Sequence, residues 1–98
     1  MINIHIAKQK VLDQAKHDLG GSLPFEIAIF EEYIIESEHG WIIPWNSKEF
    51  IETGDFMKAV SPGLGRLGIT KTGKTVHFMS GYNDDQCLEK IKEENEKK

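Results

Sequence analysis

Cysteine is nearly absent. Cys87 is the one thiol in 98 residues, which excludes an internal disulfide and a multi-cysteine zinc site and fits a reducing compartment. Positive charge is also in short supply: 12 Lys and Arg face 16 Asp and Glu, a formal charge of −4. Sequence-independent binding to nucleic acid runs on cationic side chains neutralising phosphates, so nucleic acid is not an expected partner. Long apolar runs are missing as well. Stretches such as Ile27 to Phe30 and Trp41 to Trp45 fall far short of the roughly 20 residues a transmembrane helix needs, and no membrane association is expected. Met1 to Lys10 alternates apolar and polar residues, with neither an apolar signal region nor a small-residue cleavage site, which predicts a cytoplasmic protein.

What is present suffices for one core. Hydrophobic residues make up 39% and aromatics 9% of the chain, with 29% charged residues for the surface, a balance that argues against disorder. The length fits a single domain over residues 1–98, with no room for a separate cofactor domain or a repeat array. The charge is unevenly spread. Residues 26 to 55 hold eight acids (Glu26, Glu31, Glu32, Glu36, Glu38, Glu49, Glu52, Asp55) and one base, Lys48, a net of −7; residues 56 to 82 hold four bases (Lys58, Arg66, Lys71, Lys74) and no acid. Such asymmetry either steers an oppositely charged partner on approach or neutralises itself within one sheet.

Hydrophobic spacing sets the elements. Ile4, Ala7, Val11, Ala15 and Leu19 recur at three and four, widened by Ile6 and Leu12, and Gly20-Gly21 follows as a stop; this predicts an amphipathic helix of about four turns. After the connector Ser22-Leu23-Pro24, Phe25, Ile27, Ile29, Tyr33 and Ile35 fall on odd positions and Glu26, Glu32, Glu36 and Glu38 on even ones, a strand with one wet face. The alternation stumbles at Phe30-Glu31, predicting a bulge or twist. Glu38-His39-Gly40 supplies a turn, with Gly40 free for positive φ, into a second strand Trp41 to Trp45. Pro44 has no N–H to donate and pushes that stretch toward an edge or a kink. Ser47 caps a short helical turn that ends at Thr53-Gly54, and 47 to 60 form a structured crossover. After the Ser61-to-Gly65 loop, Leu67, Ile69, Val76 and Phe78 flank the turn Lys71-Thr72-Gly73-Lys74, a second hairpin. Asn83 caps a last helix, with Asp84 and Asp85 at its positive end, Gln86 completing a capping box, and Leu88 and Ile91 facing the core. Residues from about 93 to 98 are expected to fray. The order is helix, four strands, helix: an α+β fold with a mostly antiparallel four-stranded sheet packed by an N-terminal and a C-terminal helix, both helices on one face.

Motifs with chemistry do not hold up. Gly63-Leu64-Gly65-Arg66-Leu67-Gly68 matches the dinucleotide fingerprint and Gly68 through Gly73-Lys74-Thr75 the phosphate-loop spacing. Both need a helix N-terminus where this sequence reads as strand. Gly73 is better explained as a turn residue at positive φ. Cys87 and His77 are a conceivable nucleophile and base, but Asp84 and Asp85 oppose the lowered thiol pKa that a helix N-terminus provides, and a small packed side chain is the simpler role. His5, His17, His39 and His77 show no i, i+4 pairing with a carboxylate third ligand, so no metal is expected. Glu31-Glu32 and Glu36-Glu38 are solvated surface acids rather than an acid and base pair. No catalytic residue and no cofactor are expected. Trp41 and Trp45 project to one face of a strand with Ile43 between them, a core face or a recognition patch, and Tyr33 fits either.

The stretch Gly40-Trp41-Ile42-Ile43-Pro44-Trp45-Asn46-Ser47, followed by Phe50, by Glu52-Thr53-Gly54-Asp55 and by Thr72-Gly73-Lys74-Thr75-Val76-His77-Phe78, resembles the immunity protein 35 family, which includes YrhB-like proteins. The likeness covers residues 28 to 80. Pro44 departs from it where an aromatic or aliphatic residue is usual, and Ser61 to Ile69 lacks the family's Gly-Asn-x-Pro loop. The resemblance implies a small bacterial α+β protein of a polymorphic toxin system, one that neutralises a cognate toxin protein by non-covalent binding. A chaperone-like role on unfolded segments is the alternative it implies, and a small cysteine hydrolase is a third possibility from the residues. Glu36, Glu38 and Asn46 are the expected contact rim, with Trp45 as an anchor.

Overall fold

The computed structural model describes residues 1–21, 26–55, 57, 65–78 and 81–97. The Ser22-Leu23-Pro24 connector, Phe25, most of the crossover after Asp55, and positions 61–64 lie outside the described residues. Helix α1 spans Ile4–Asp18. Its start is fixed by Asn3, whose Oδ1 accepts from the Ile6 N–H at 3.0 Å, and its end by Gly20 and Gly21, which donate to the His17 and Lys16 carbonyls. Ala7, Val11 and Ala15 are fully buried, whereas Ile6 is 44% exposed and widens no stripe.

Strands β1 (Ile27–Ile29) and β2 (Ile35–Glu36) both pair antiparallel with the long strand β3 (Gly40–Ser47), separated by a 3-10 turn at Glu31–Tyr33. Helix α2 (Lys48–Thr53) follows, capped by Ser47 Oγ on the Phe50 N–H at 3.1 Å. Strands β4 (Gly65–Thr70) and β5 (Thr75–His77) form the second hairpin, and helix α3 (Asp84–Glu96) closes the chain. The protein is α+β, with sheet order β1-β3-β4-β5 and β2 beside β1 on the edge of β3. Among the described residues no helix is long and apolar enough to cross a membrane.

Five strands appear where four were expected because the first is cut in two, and Pro44 explains the cut. Even-numbered residues of β3 bond toward the β1/β2 side: Phe30 N–H donates to the Pro44 carbonyl at 2.9 Å, and Ser37 N–H to the Gly40 carbonyl at 2.8 Å. Pro44 has no N–H to return to the Phe30 carbonyl. That carbonyl instead accepts from Tyr33 N–H at 3.0 Å, which starts the 3-10 turn. The register moves by three residues across it, from Ile29↔Trp45 to Ile35↔Ile42. An odd slip exchanges faces. Ile27 and Ile29 therefore pack with Trp45 against α1, while Ile35 packs on the opposite face with Ile42, and the single wet face expected for residues 25 to 36 does not exist.

The helices lie on both faces of the sheet, not one. Strand β3 is apolar at both parities, so each face needs a cover. Trp41, Ile43 and Trp45, with Leu67 and Ile69, pack on Ala7, Val11 and Ala15 of α1. Ile42 packs on Cys87 and Ile91 of α3, with Ile35, Phe78, Tyr82 and Leu88 around them. Gly40 serves this second layer. It is an ordinary strand residue without positive φ, and a Cβ there would meet the Ile69 carbonyl oxygen, with Ile91 Cγ2 at 2.7 Å and Thr70 Cα at 2.9 Å. The turn that Gly40 was expected to make is built by Ser37, whose hydroxyl donates to the Gly40 carbonyl at 3.0 Å and accepts from His39 N–H at 3.3 Å.

The second hairpin and the last helix follow the sequence closely. Gly73 takes φ 99° in the β4–β5 turn. Asn83 and Gln86 form the full capping box, at 2.8 and 2.9 Å. Helix α3 reaches Glu96, and near its end Lys74 Nζ donates to the carbonyls of Glu94 at 3.4 Å and Lys97 at 3.3 Å, and Lys97 pairs with Glu94 at 2.9 Å.

Candidate functional site

The four residues expected to meet a partner separate into two pairs. Trp45 is 9% and Asn46 1% exposed. Trp45 belongs to the α1-facing core, and the Oδ1 of Asn46 accepts from Ser47 N–H at 2.8 Å. Both are interior residues, because a central strand flanked on both sides buries each parity, and neither stands on a rim. Trp41 is interior too, 4% exposed. Glu36 and Glu38 are exposed. Glu36 meets Lys71 Nζ at 2.6 Å, and the hydrogen bond from Lys71, aided by its charge, holds the Glu36 carboxyl below the ordinary glutamate range. The same ammonium lies 4.1 Å over the Trp41 ring, a cation held between an aromatic face and a carboxylate.

The described bases of the base-rich segment answer little of the acidic one. Among the described residues, Glu36–Lys71 is the one ion pair between them. Glu31 takes its partner from α1, Lys8 at 2.6 Å, and Glu26 and Glu52 share Lys48 of their own segment at 3.5 and 4.0 Å. Glu32 and Glu38 have no ion pair among the described residues, and Asp55 caps Met57 N–H at 3.0 Å. Arg66 is spent on α3, with Asp84 at 2.5 Å and the Tyr82 carbonyl at 2.8 Å. Among the described residues, self-neutralisation between the two segments thus accounts for Glu36. Along the edge formed by β1, the 3-10 turn, β2 and its turn, Glu26, Glu31 and Glu36 are paired with lysines, and Glu32 and Glu38 have no ion pair among the described residues.

That edge also shows an aromatic group. The ring of Tyr33, 57% exposed, stands edge-on to Phe30 at 5.3 Å and 66°, and Phe30 stands edge-on to Phe50 of α2 at 6.0 Å and 74°. Sequence patterning missed this cluster because it treated 25 to 36 as one strand. The signal was Phe30, an apolar residue on the polar parity.

Cys87 and His77 do not meet. Cys87 is fully buried in the α3 layer, where burial pushes its thiol pKa up, the Arg66 charge pulls it down and Asp84 pushes it up again. His77 stands opposite Leu67 on the other face, with Nε2 2.9 Å from Asp18 Oδ2. Burial raises the Asp18 carboxyl pKa, and hydrogen bonds from His77 and Gln14 with the His77 charge more than offset this, leaving it below the ordinary aspartate value. Among the described residues no group of three His, Cys, Asp or Glu is placed to hold a metal ion. A shallow groove of about 200 Å³ beside Tyr82, Gln86, Glu89, Lys90 and Glu93 is smaller than the roughly 300 Å³ at which small-molecule sites begin.

Comparison of the chain with protein-family models, characterised proteins and solved structures returns no match.

Proposed function

We propose that this is a cytoplasmic bacterial immunity protein, one that binds a cognate toxin domain non-covalently and occludes its active site or a surface the toxin requires. The observation that carries this proposal is the acid-rich sheet edge, where Glu32 and Glu38 are exposed and have no ion pair among the described residues. An unspent field of one sign raises the encounter rate with an oppositely charged partner and rejects others. Occlusion needs only shape and charge, and the resemblance of residues 28 to 80 to immunity proteins supports the same reading. The large apolar side chains exposed among the described residues, Met1, Ile6, Tyr33 and Met57, sit on separate elements or segments, which suits a specific contact better than the broad apolar surface a general chaperone uses.

The test is binding to the variable C-terminal domain of a large secreted protein encoded beside this chain. A 1:1 complex that survives Cys87→Ala is expected. Suppressed aggregation of several unrelated unfolded proteins, without such a complex, would instead support the chaperone alternative. An activity abolished by Cys87→Ala would support the hydrolase.

A further inference from the structure

We infer that the partner is gripped at the aromatic cluster Phe30–Tyr33–Phe50, and that it presents there a lysine or arginine side chain from a basic protein surface. The inference rests on the binding role proposed above and places its contact. Tyr33 is the one exposed aromatic residue among the large apolar side chains on the described surface. Its ring is not free to wander: Phe30 holds it edge-on, Phe50 backs Phe30, and the turn beneath is tied by the Tyr33 N–H bond to the Phe30 carbonyl at 3.0 Å. An aromatic side chain fixed before binding loses little entropy on contact, which is why tyrosines so often anchor interfaces.

Charge selects the occupant. Glu31 and Glu32 precede Tyr33 in the same turn and are exposed, and Glu32 has no ion pair among the described residues. An acidic partner would be repelled, and an apolar one would desolvate Glu32 without compensation. A cation over the Tyr33 face gains the ring's quadrupole and a charge-assisted hydrogen bond to Glu32 together. The molecule already uses this arrangement internally, where Lys71 lies over Trp41 at 4.1 Å and bonds Glu36 at 2.6 Å. The three-residue slip that Pro44 imposes on the edge is what displays Tyr33 outward.

The experiment is titration of the ¹⁵N-labelled full chain with nona-arginine, and with nona-glutamate as the control, followed by amide chemical shifts. Shifts centred on residues 30–34 and 48–53 with nona-arginine alone are expected. Tyr33→Ala should weaken binding about tenfold and Glu32→Gln about threefold, with Tyr33→Phe within about twofold of wild type. Shifts centred on the α3 acids, equal binding of nona-glutamate, or Tyr33→Ala and Glu32→Gln variants that bind like wild type would overturn the inference. So would concentration-dependent dimerisation through residues 30–34, which would make a second copy the occupant. The two proposals fail separately. If wild type binds the toxin domain and both variants bind it equally, the contact lies elsewhere and occlusion stands. If nona-arginine maps to Tyr33 and no toxin domain is bound, occlusion falls and the cation-binding surface stands.

Discussion

Cys87 illustrates how much one side chain depends on its layer. At the first turn of a helix a thiol ordinarily becomes more acidic, yet here burial outweighs the pull of Arg66 and the thiol is held protonated. Iodoacetamide should therefore modify the folded protein at least about 100-fold more slowly than the guanidinium-unfolded chain. Equal rates would show that the α3 layer does not cover it. Asp18 and Glu36 are shifted the other way. Their carboxyls are lowered in the folded state, so each contributes stability that is present above the ordinary carboxylate range and is lost as the pH falls through the lowered folded value. The urea midpoint should drop below about pH 4, and Glu36→Gln should lose less on acidification than wild type. Parallel pH profiles would remove Lys71–Glu36 from the account.

Among the elements, β3 decides the architecture. Pro44 was legible as a disturbance and Phe30-Glu31 as a stumble, but their connection was not, because it passes through the Phe30 carbonyl, which would bond position 44 of β3 and instead accepts from Tyr33 of the 3-10 turn. A valine at position 44 brings back an N–H facing a carbonyl that Tyr33 already uses, and it should cost about 1–3 kcal/mol and speed amide exchange at Tyr33; unchanged protection at Tyr33 would contradict the explanation. Local signals were read well where the cause is local: the Ser47 and Asn83 caps, the capping box, and Gly73 in its turn. They failed where the cause is a neighbour distant in sequence. Gly40 looked like a turn glycine and is a packing glycine. Gly40→Ala should cost about 3 kcal/mol, since the colliding Ile69 and Thr70 atoms are backbone, against about 1 kcal/mol for Gly73→Ala, which meets only its positive φ. Denaturant midpoints in the reverse order would contradict this placement.

Over the whole molecule, the charge asymmetry visible in the sequence becomes a property of one edge. Arg66 and Lys74 of the second half are drawn away from it, to Asp84 and to the end of α3, while Lys71 pairs with Glu36 on it, so composition alone could count the imbalance but could not say where it would remain. Of the four expected contact residues, Glu36 and Glu38 stayed outside because β2 and its turn are at the edge. Trp45 and Asn46 went inside because β3 is the middle of the sheet. Loss of affinity for the toxin domain should be steep with added salt if this edge steers the encounter, most of it in the association rate.

In the proposed role this protein acts by occupying another, one molecule for one. Titrating the toxin domain's activity with the intact chain tests it most directly. A linear loss that is complete at one equivalent is expected, with a toxin that regains activity after the two are separated and keeps its mass. Inactivation by a small fraction of an equivalent, or a toxin left with a changed mass, would contradict it.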